Sequence, residues 1–380
     1  MLLTAKYTIM PEIWLGYGNS EIILDIKYEN ISHILRPSMN KLDLEKLETE
    51  IHNKIVVQES TLILITSPFF FMLPILTLIQ NKSKEMKIEN IEYCILSKSI
   101  PQRAKQQLNE NGISIGRLAS EEVLEKINKF NNTILIDRIE YDPVFGYTGS
   151  PVRLLRECYP DEMNQVYSFI FDSLPQPGKY SEPLKLAIEV TSKIASQSIH
   201  VISNNEGIDS IFIGDLSNSF NQAIERFKSI TQLTSETSKS AFISGNTNYS
   251  CQMTLGNSLN LLWNNYHVVS DNGIIILLAE NRGGVGNGTL LKLIENRLDL
   301  VGLNKYQYSK DLEHINFLKM LREKYEIFLI SSLPRIYSDK LGFKSLQRIK
   351  DGYELVIERN GKYSKSAIVP NSEITLISFE

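Results

Sequence analysis

In the stretch Asp271-Asn272-Gly273-Ile274-Ile275-Ile276-Leu277-Leu278-Ala279-Glu280-Asn281-Arg282-Gly283-Gly284-Val285-Gly286-Asn287-Gly288, an uncharged run from Ile274 to Ala279 passes into a glycine-rich loop. Helical periodicity resumes beyond it, over Leu290 to Leu298. A run that is apolar at every position, not at alternate ones, reads as a strand buried on both faces. Strand, glycine turn and helix in that order form half of a βαβ unit.

The same order recurs outward in both directions. Continuously apolar strand candidates lie at Leu62 to Ile65, Tyr93 to Leu96, Thr133 to Ile136, Ile199 to Ile202, Ala241 to Ser244 and Ile327 to Ile330. Amphipathic helix candidates lie at Asp43 to Lys54, Ile75 to Lys82, Gln102 to Asn111, Ser120 to Phe130, Pro183 to Ser196, Ser219 to Thr231, Leu255 to Val268 and Asp311 to Tyr325. The alternation predicts an α/β fold with largely parallel sheets covered by helices. Glu21 to Tyr28 alternates like a half-buried strand. A chain of 380 residues is too long for one ordinary core. Two domains are therefore expected, 1–232 and 233–380, with a cleft between them. The joint is placed in the polar run Thr231 to Ser240, which loses apolar periodicity after Leu233.

Composition excludes several function classes. The net charge is −4, and basic and acidic residues are interleaved with no basic stripe, so nucleic acid is not an expected partner. Cys94, Cys158 and Cys251 stand more than sixty residues apart, which suits neither a disulfide framework nor paired zinc ligands. They read as reduced thiols of a cytoplasmic protein. Met1 to Ile13 lacks the apolar core and cleavage site of a signal peptide. Leu62 to Ile79 runs eighteen residues without a charge, the threshold for a membrane span. Pro68 and Pro74 would break such a helix twice, so a buried strand, a turn and a helix starting near Pro74 are expected, and no membrane association.

Ligands of parallel sheets gather at the carboxyl ends of the strands. The loops there are Thr66-Ser67-Pro68, Ser97 to Pro101, Asp137 to Gly149, Gly245 to Tyr249 and Glu280 to Gly288. They read as rich in hydroxyls and amides and poor in titrating groups. The glycines from Gly283 to Gly288 could cradle a phosphate at a helix N-terminus, but their spacing departs from the dinucleotide fingerprint, and a plain strand-to-helix turn is favoured. His33, His52, His200, His267 and His314 are scattered, none within four residues of another, so no metal site is expected. His52, His267 and His314 are expected at the surface or at helix ends, and His200 as a hydrogen-bonded structural residue. Trp14 and Trp263 read as core or interface residues. Tyr147 reads equally as a stacking ring or as a closure of the domain interface.

Taken in order, these loops resemble the nickel-pincer-dependent lactate racemases, from Tyr17-Gly18 to Ile368-Val369-Pro370. Tyr17-Gly18-Asn19-Ser20-Glu21 with Glu29-Asn30 looks like that family's entry strand, and Asp271 to Glu280 followed by Gly284-Val285-Gly286 is the clearest match in the second half. The resemblance implies a racemase-like fold and, for the family, racemisation of a 2-hydroxy acid. Position by position, this chain departs from the family's chemistry. Where members carry Asp-x-Thr-Arg-Pro, Leu64-Ile65-Thr66-Ser67-Pro68 keeps the threonine and proline only. Ser97-Lys98-Ser99-Ile100-Pro101 resembles the Gly-Thr-His-Arg-Pro loop, with Ser99 at the histidine. Asp142-Pro143-Val144-Phe145-Gly146-Tyr147-Thr148-Gly149-Ser150-Pro151-Val152 resembles His-x-Phe-Ala-Gly-Tyr-Thr-Gly-Gly-x-Lys. Asp142 falls at the second catalytic histidine and Val152 at the lysine that tethers the cofactor. Ser168 falls near the nickel-ligating histidine. Gln252, Asn257 and Asn260 fall at the acid, glutamine and lysine of Asp-x-x-x-Tyr-Gln-x-x-Lys.

Nickel held by imidazole nitrogen and hydride transfer from a hydroxy acid both need groups that serine and valine do not supply. The resemblance therefore implies a divergent relative, a pseudoenzyme that binds a small molecule or a partner through the cleft, with no cofactor. The candidate binding residues are Thr66, Ser67, Ser99, Tyr147, Thr148, Gly149, Ser168, Gln252, Asn257 and Asn260. The alternative is a racemase or epimerase with altered residues, with Asp142 as its candidate base and the nickel-pincer nucleotide as its cofactor. Phe69-Phe70-Phe71 is proposed to fill the space that the cofactor would leave.

Overall fold

The computed structural model describes residues 12–69, 71–96, 102–194, 197–204, 206–247, 250–298 and 303–378. The chain divides into two compact units. A central unit comprises Ser38–Phe169 and Gly178–Ile230, and a terminal unit comprises Met1–Pro37, Ile170–Pro177 and Thr231–Glu380. Where the sequence suggests one joint, between 232 and 233, the chain passes from unit to unit at four points.

The central unit carries a six-stranded sheet in the order Ile208–Gly214, Gln197–Ser203, Asn132–Arg138, Thr61–Ile65, Ile91–Ile95, Ile115–Arg117. All neighbours are parallel except the edge strand Ile208–Gly214. Successive side chains of a strand point to opposite faces, so two separate cores form. Ile63, Ile65, Ile134, Ile136, Ile199 and Val201 face the helices Leu44–Lys54 and Met72–Glu85, through Leu47, Ile51, Ile75 and Ile79. Leu62, Leu64, Cys94 and Leu135 face the opposite way, toward Leu154 and Leu216. Asp137 and His200, paired in register across two neighbouring strands, follow on that second face at its carboxyl end.

The terminal unit carries a second six-stranded sheet, ordered Lys344–Leu346, Glu326–Ile330, Val269–Leu278, Ser238–Ser244, Ser366–Val369, Ile31–Ile34, and all its pairs are parallel. A hairpin of Glu12–Tyr17 and Ser20–Asp25 adds Ile13, Leu15 and Leu24 to its core beside Ile276, Phe328 and Val356. The edge strand Ile31–Ile34 joins a sheet whose other members lie more than two hundred residues later.

All seven apolar runs are strands, and the segment from Leu62 to Ile79 is a strand, a turn and a helix, Met72–Glu85, with Pro74 in its first turn. Among the described residues, no helix is long and apolar enough to cross a membrane. The polar run at 231–240 is not an open linker. Gln232–Thr234 pairs with Leu376–Ser378, and Ser238 begins a central strand. Trp14 is 46% exposed on the hairpin and so is not a core residue, whereas Trp263 is fully buried. His314 lies in the first turn of the helix Leu312–Arg322, one of the two placements expected for it, but it is buried, and its Nδ1 accepts the indole N–H of Trp263 at 2.8 Å.

Candidate functional site

The carboxyl end of the central sheet gathers more charge than its loops suggest. Thr66 continues Thr61–Ile65, Asp137 lies in Asn132–Arg138, and Glu140 and Asp142 belong to the short strand after it. That strand pairs with Gly146–Thr148, and the turn between them leads into the helix Ser150–Cys158. Pro151 in the first turn suits a helix start, because its missing N–H has no partner there to lose. Gly149 caps this helix against the Phe220 ring, and a Cβ at Gly149 would lie 2.7 Å from that ring.

Arg153 and Arg156, one turn apart on this helix, meet the acids. Arg153 Nε donates to Asp137 Oδ2 at 3.0 Å, and its Nη2 to Glu140 at 2.6 Å. Arg138 also pairs with Glu140. Arg156 Nη2 donates to both oxygens of Asp142 at 3.1 Å. Thr66 Oγ1 donates to Asp137 Oδ2 at 2.7 Å and lies 3.3 Å from Ser150 Oγ. Three carboxylates thus face three guanidiniums. Burial pushes the Asp137 carboxyl up, against the opposing pull of Arg153, Thr66 and the Arg138 N–H. Burial also pulls the partly buried Glu140 up, yet Arg138 and Arg153 together hold it below the usual carboxylate range. Beside them His200 is fully buried, with Nδ1 3.1 Å from Ser219 Oγ, and burial lowers its imidazole to about 3.

Asp142, the candidate base, is a turn residue. Its Oδ1 accepts the backbone N–H groups of Val144 at 2.8 Å and Phe145 at 2.9 Å, and Arg156 covers the rest of the carboxylate. Such an Asx turn fixes the following loop. Tyr147 is buried inside the central unit against Tyr141, their ring centroids 5.6 Å apart, and burial raises its hydroxyl to about 12. Thr148 is buried beside it, and Ser67 is half-buried next to Thr66. Val152 is fully enclosed. Ser168 stands apart from this cluster, its hydroxyl donating to Gln165 of its own helix at 2.7 Å. Ser99 and Phe70 lie outside the described residues. Phe69 and Phe71 pack into the core on the face of Ile63 and Ile65, opposite to the face of Asp137.

The carboxyl end of the terminal sheet is built from amides and hydroxyls. Gln252 is buried, and its amide nitrogen donates to the carbonyl of Gly245 at 2.8 Å and to that of Gly16 at 3.2 Å, while its oxygen accepts the N–H of Gly18 at 2.8 Å. It is a clasp between the hairpin and the loop after Ser238–Ser244. Asn281 accepts from Ser258 Oγ at 2.5 Å and donates to Ser331 Oγ at 3.0 Å. Asn257 is exposed in the first turn of the helix Leu255–Asn265, where its backbone N–H donates to Thr254 Oγ1, and Asn260 is half-buried one turn on. The glycine loop is the strand-to-helix turn that its spacing favoured. The Asp311 carboxylate sits where an anion would approach, so that a Cβ on Gly288 would lie 1.9 Å from its Oδ2. Among the described residues, no three His, Cys, Asp or Glu side chains gather to hold a metal ion.

The reading of these loops as poor in titrating groups is overturned at the central sheet. Asp137, Arg138, Glu140, Arg153 and Arg156 were not singled out, because the pairs form between segments up to sixteen residues apart. The available signals were the spacing of Arg153 and Arg156, three apart on one helical face, and of Glu140 and Asp142, two apart on one side of a strand.

The chain is similar in structure to the lactate racemase apoprotein from Thermoanaerobacterium thermosaccharolyticum, with a TM-score of 0.79 at 14% identity over 97% of this chain and 100% of that one. It is also similar to a Thermotoga maritima protein, with a TM-score of 0.64 at 12% identity over 89% of this chain and 97% of that one. No protein-family model and no curated protein matches the sequence. The fold is thus a lactate-racemase-like α/β fold.

Proposed function

We propose that this lactate-racemase-like protein works without nickel-pincer chemistry and binds a small molecule or a partner through loops at the carboxyl ends of its sheets. The observation that carries the reading is the mutual neutralisation of Asp137, Glu140 and Asp142 by Arg138, Arg153 and Arg156. A general base needs a carboxylate or imidazole free to take a proton, and a 2-hydroxy acid needs an unpaired guanidinium for its carboxylate. Here each group already holds its counterpart, and His200 is sealed from solvent.

The nickel-pincer nucleotide does not fit the residues that the resemblance assigns to it. A covalent tether needs a nucleophilic amine, and Val152 is an enclosed alkyl group. Nickel needs imidazole or sulfur donors, and the Ser168 hydroxyl is engaged with its own helix. What the loops leave accessible is chiefly the neutral groups Asn257, Asn260 and Ser67, with the exposed Arg282 of the glycine loop, and these groups suit hydrogen bonding to a polar ligand.

The test is metal analysis and an absorbance spectrum of the purified protein, with an assay for interconversion of lactate enantiomers. We expect no stoichiometric nickel, no pyridinium-thiocarboxylate band and no racemisation, and a raised melting temperature with at least one member of a small-molecule panel. Stoichiometric nickel with turnover would replace this reading by a racemase with altered residues.

A further inference from the structure

A cavity lies at the other end of the terminal sheet, where the strands Ile31–Ile34, Ser238–Ser244 and Ser366–Val369 begin. Its volume of about 570 Å³ falls within the range of small-molecule sites. We infer that this cavity binds a small phosphate-bearing molecule, independently of the function proposed above.

Charge is the first support. Lys239, Lys362 and Lys365 line the cavity against one acid, Glu236, a local excess of two positive charges in a chain whose net charge is −4. Among the described residues, none of the three lysines lies within ion-pair distance of a carboxylate. The carboxyl end of the helix Ile349–Asn360 also points here, but its dipole amounts to roughly half a negative charge and does not cancel the excess.

Unfilled hydrogen-bonding capacity is the second, separate support. Asn360 Nδ2 and Ser364 Oγ are both buried in the wall without a hydrogen-bond partner. Buried polar groups are nearly always paired, and a rotation of either side chain toward the cavity would give it an acceptor there. The wall is also held in shape before any ligand arrives. Asn30, which is 1% exposed, donates to the carbonyls of Lys362 at 2.7 Å and Ser364 at 2.9 Å, and receives Tyr353 Oη at 2.7 Å. Ser32 and Ser238 close the floor with hydroxyls 2.7 Å apart.

The residue types select the ligand class. Planar carboxylates are best matched by the arginine fork, and no arginine occurs among the described lining residues. Lysine ammonium groups act as point charges suited to the several oxygens of a phosphate. Tyr363, which is 74% exposed at the rim, offers a face on which a base could stack.

The experiment is calorimetric titration of the full chain with pyrophosphate and with adenosine diphosphate at two ionic strengths. Saturable binding is expected, weaker in high salt and weakened about tenfold by Lys362→Gln and by Lys365→Gln, as the loss of one charge-assisted contact implies. Lys185→Gln, on the exposed surface of the central unit, serves as the control that leaves binding unchanged. Tighter binding of the diphosphate, lost in Tyr363→Ala, would add the ring to the site, and equal binding would assign it to the phosphates alone. Absence of saturable binding up to about 10 mM, or binding indifferent to both lysine substitutions, overturns the inference.

Discussion

The two parallel sheets fix their carboxyl-end loops by opposite means. In the central unit, Asp137, Glu140 and Asp142 are tied to Arg138, Arg153 and Arg156 by ion pairs in a largely enclosed setting. In the terminal unit, Gln252, Asn281 and Ser258 do the same work with neutral groups. One architecture therefore admits two kinds of lock, with different sensitivities. A neutral clasp loses hydrogen bonds when it is cut. A charged one leaves a buried ion without its partner, which costs far more.

The largest effect should follow from Arg153→Leu, which strands the fully buried Asp137. Denaturant unfolding is expected to report a loss of about 3–5 kcal/mol, and a loss under 1 kcal/mol would mean that the pair is not the lock described. Gln252→Leu orphans the Gly18 N–H and the Gly245 carbonyl. The expected loss is about 2–3 kcal/mol in the same experiment, smaller because no charge is stranded.

Acidification sharpens the contrast through His200. Its folded pKa, about 3, lies below the ordinary imidazole value of 6.5, so the unfolded chain takes up the proton first. Its contribution is present above pH 6.5 and is lost as pH falls toward 3. Between pH 7 and pH 5 the loss should be about 2 kcal/mol, and His200→Phe should remove that increment. Burial also lowers His267 in the terminal unit, against the pull of its bond to the Ile377 carbonyl, and its contribution has the same sign. The smallest effect belongs to Thr254→Ala. It removes the helix cap at Asn257, and a loss of about 1 kcal/mol is expected by thermal unfolding.

Much of the fold was legible because burial on both faces leaves a plain sequence mark. Runs such as Leu62 to Ile65 and Ile274 to Ala279 are apolar throughout, and each is a strand with parallel neighbours. Edge elements carried a weaker mark. Ile115–Arg117 is three residues long, and Ile208–Gly214 mixes Asp209 and Ser210 into an apolar run. At the candidate site, Gln252 and Asp142 were singled out by position, but their work is to hold backbone. That role depends on which amides lie within 3 Å.

Taken alone, the sequence determined the α/β class, the succession of buried strands and the glycine turns between them, because these follow from local periodicity and backbone sterics. It also determined that Val152 carries no amine and Ser168 no imidazole. Only the tertiary structure decided that residues 31–34 join a sheet built mostly from residues beyond 230, and that Arg153 answers Asp137. Both depend on contacts between distant segments. A charge or an edge strand has no local pattern that names its partner, and the partner is fixed only once the cores have packed.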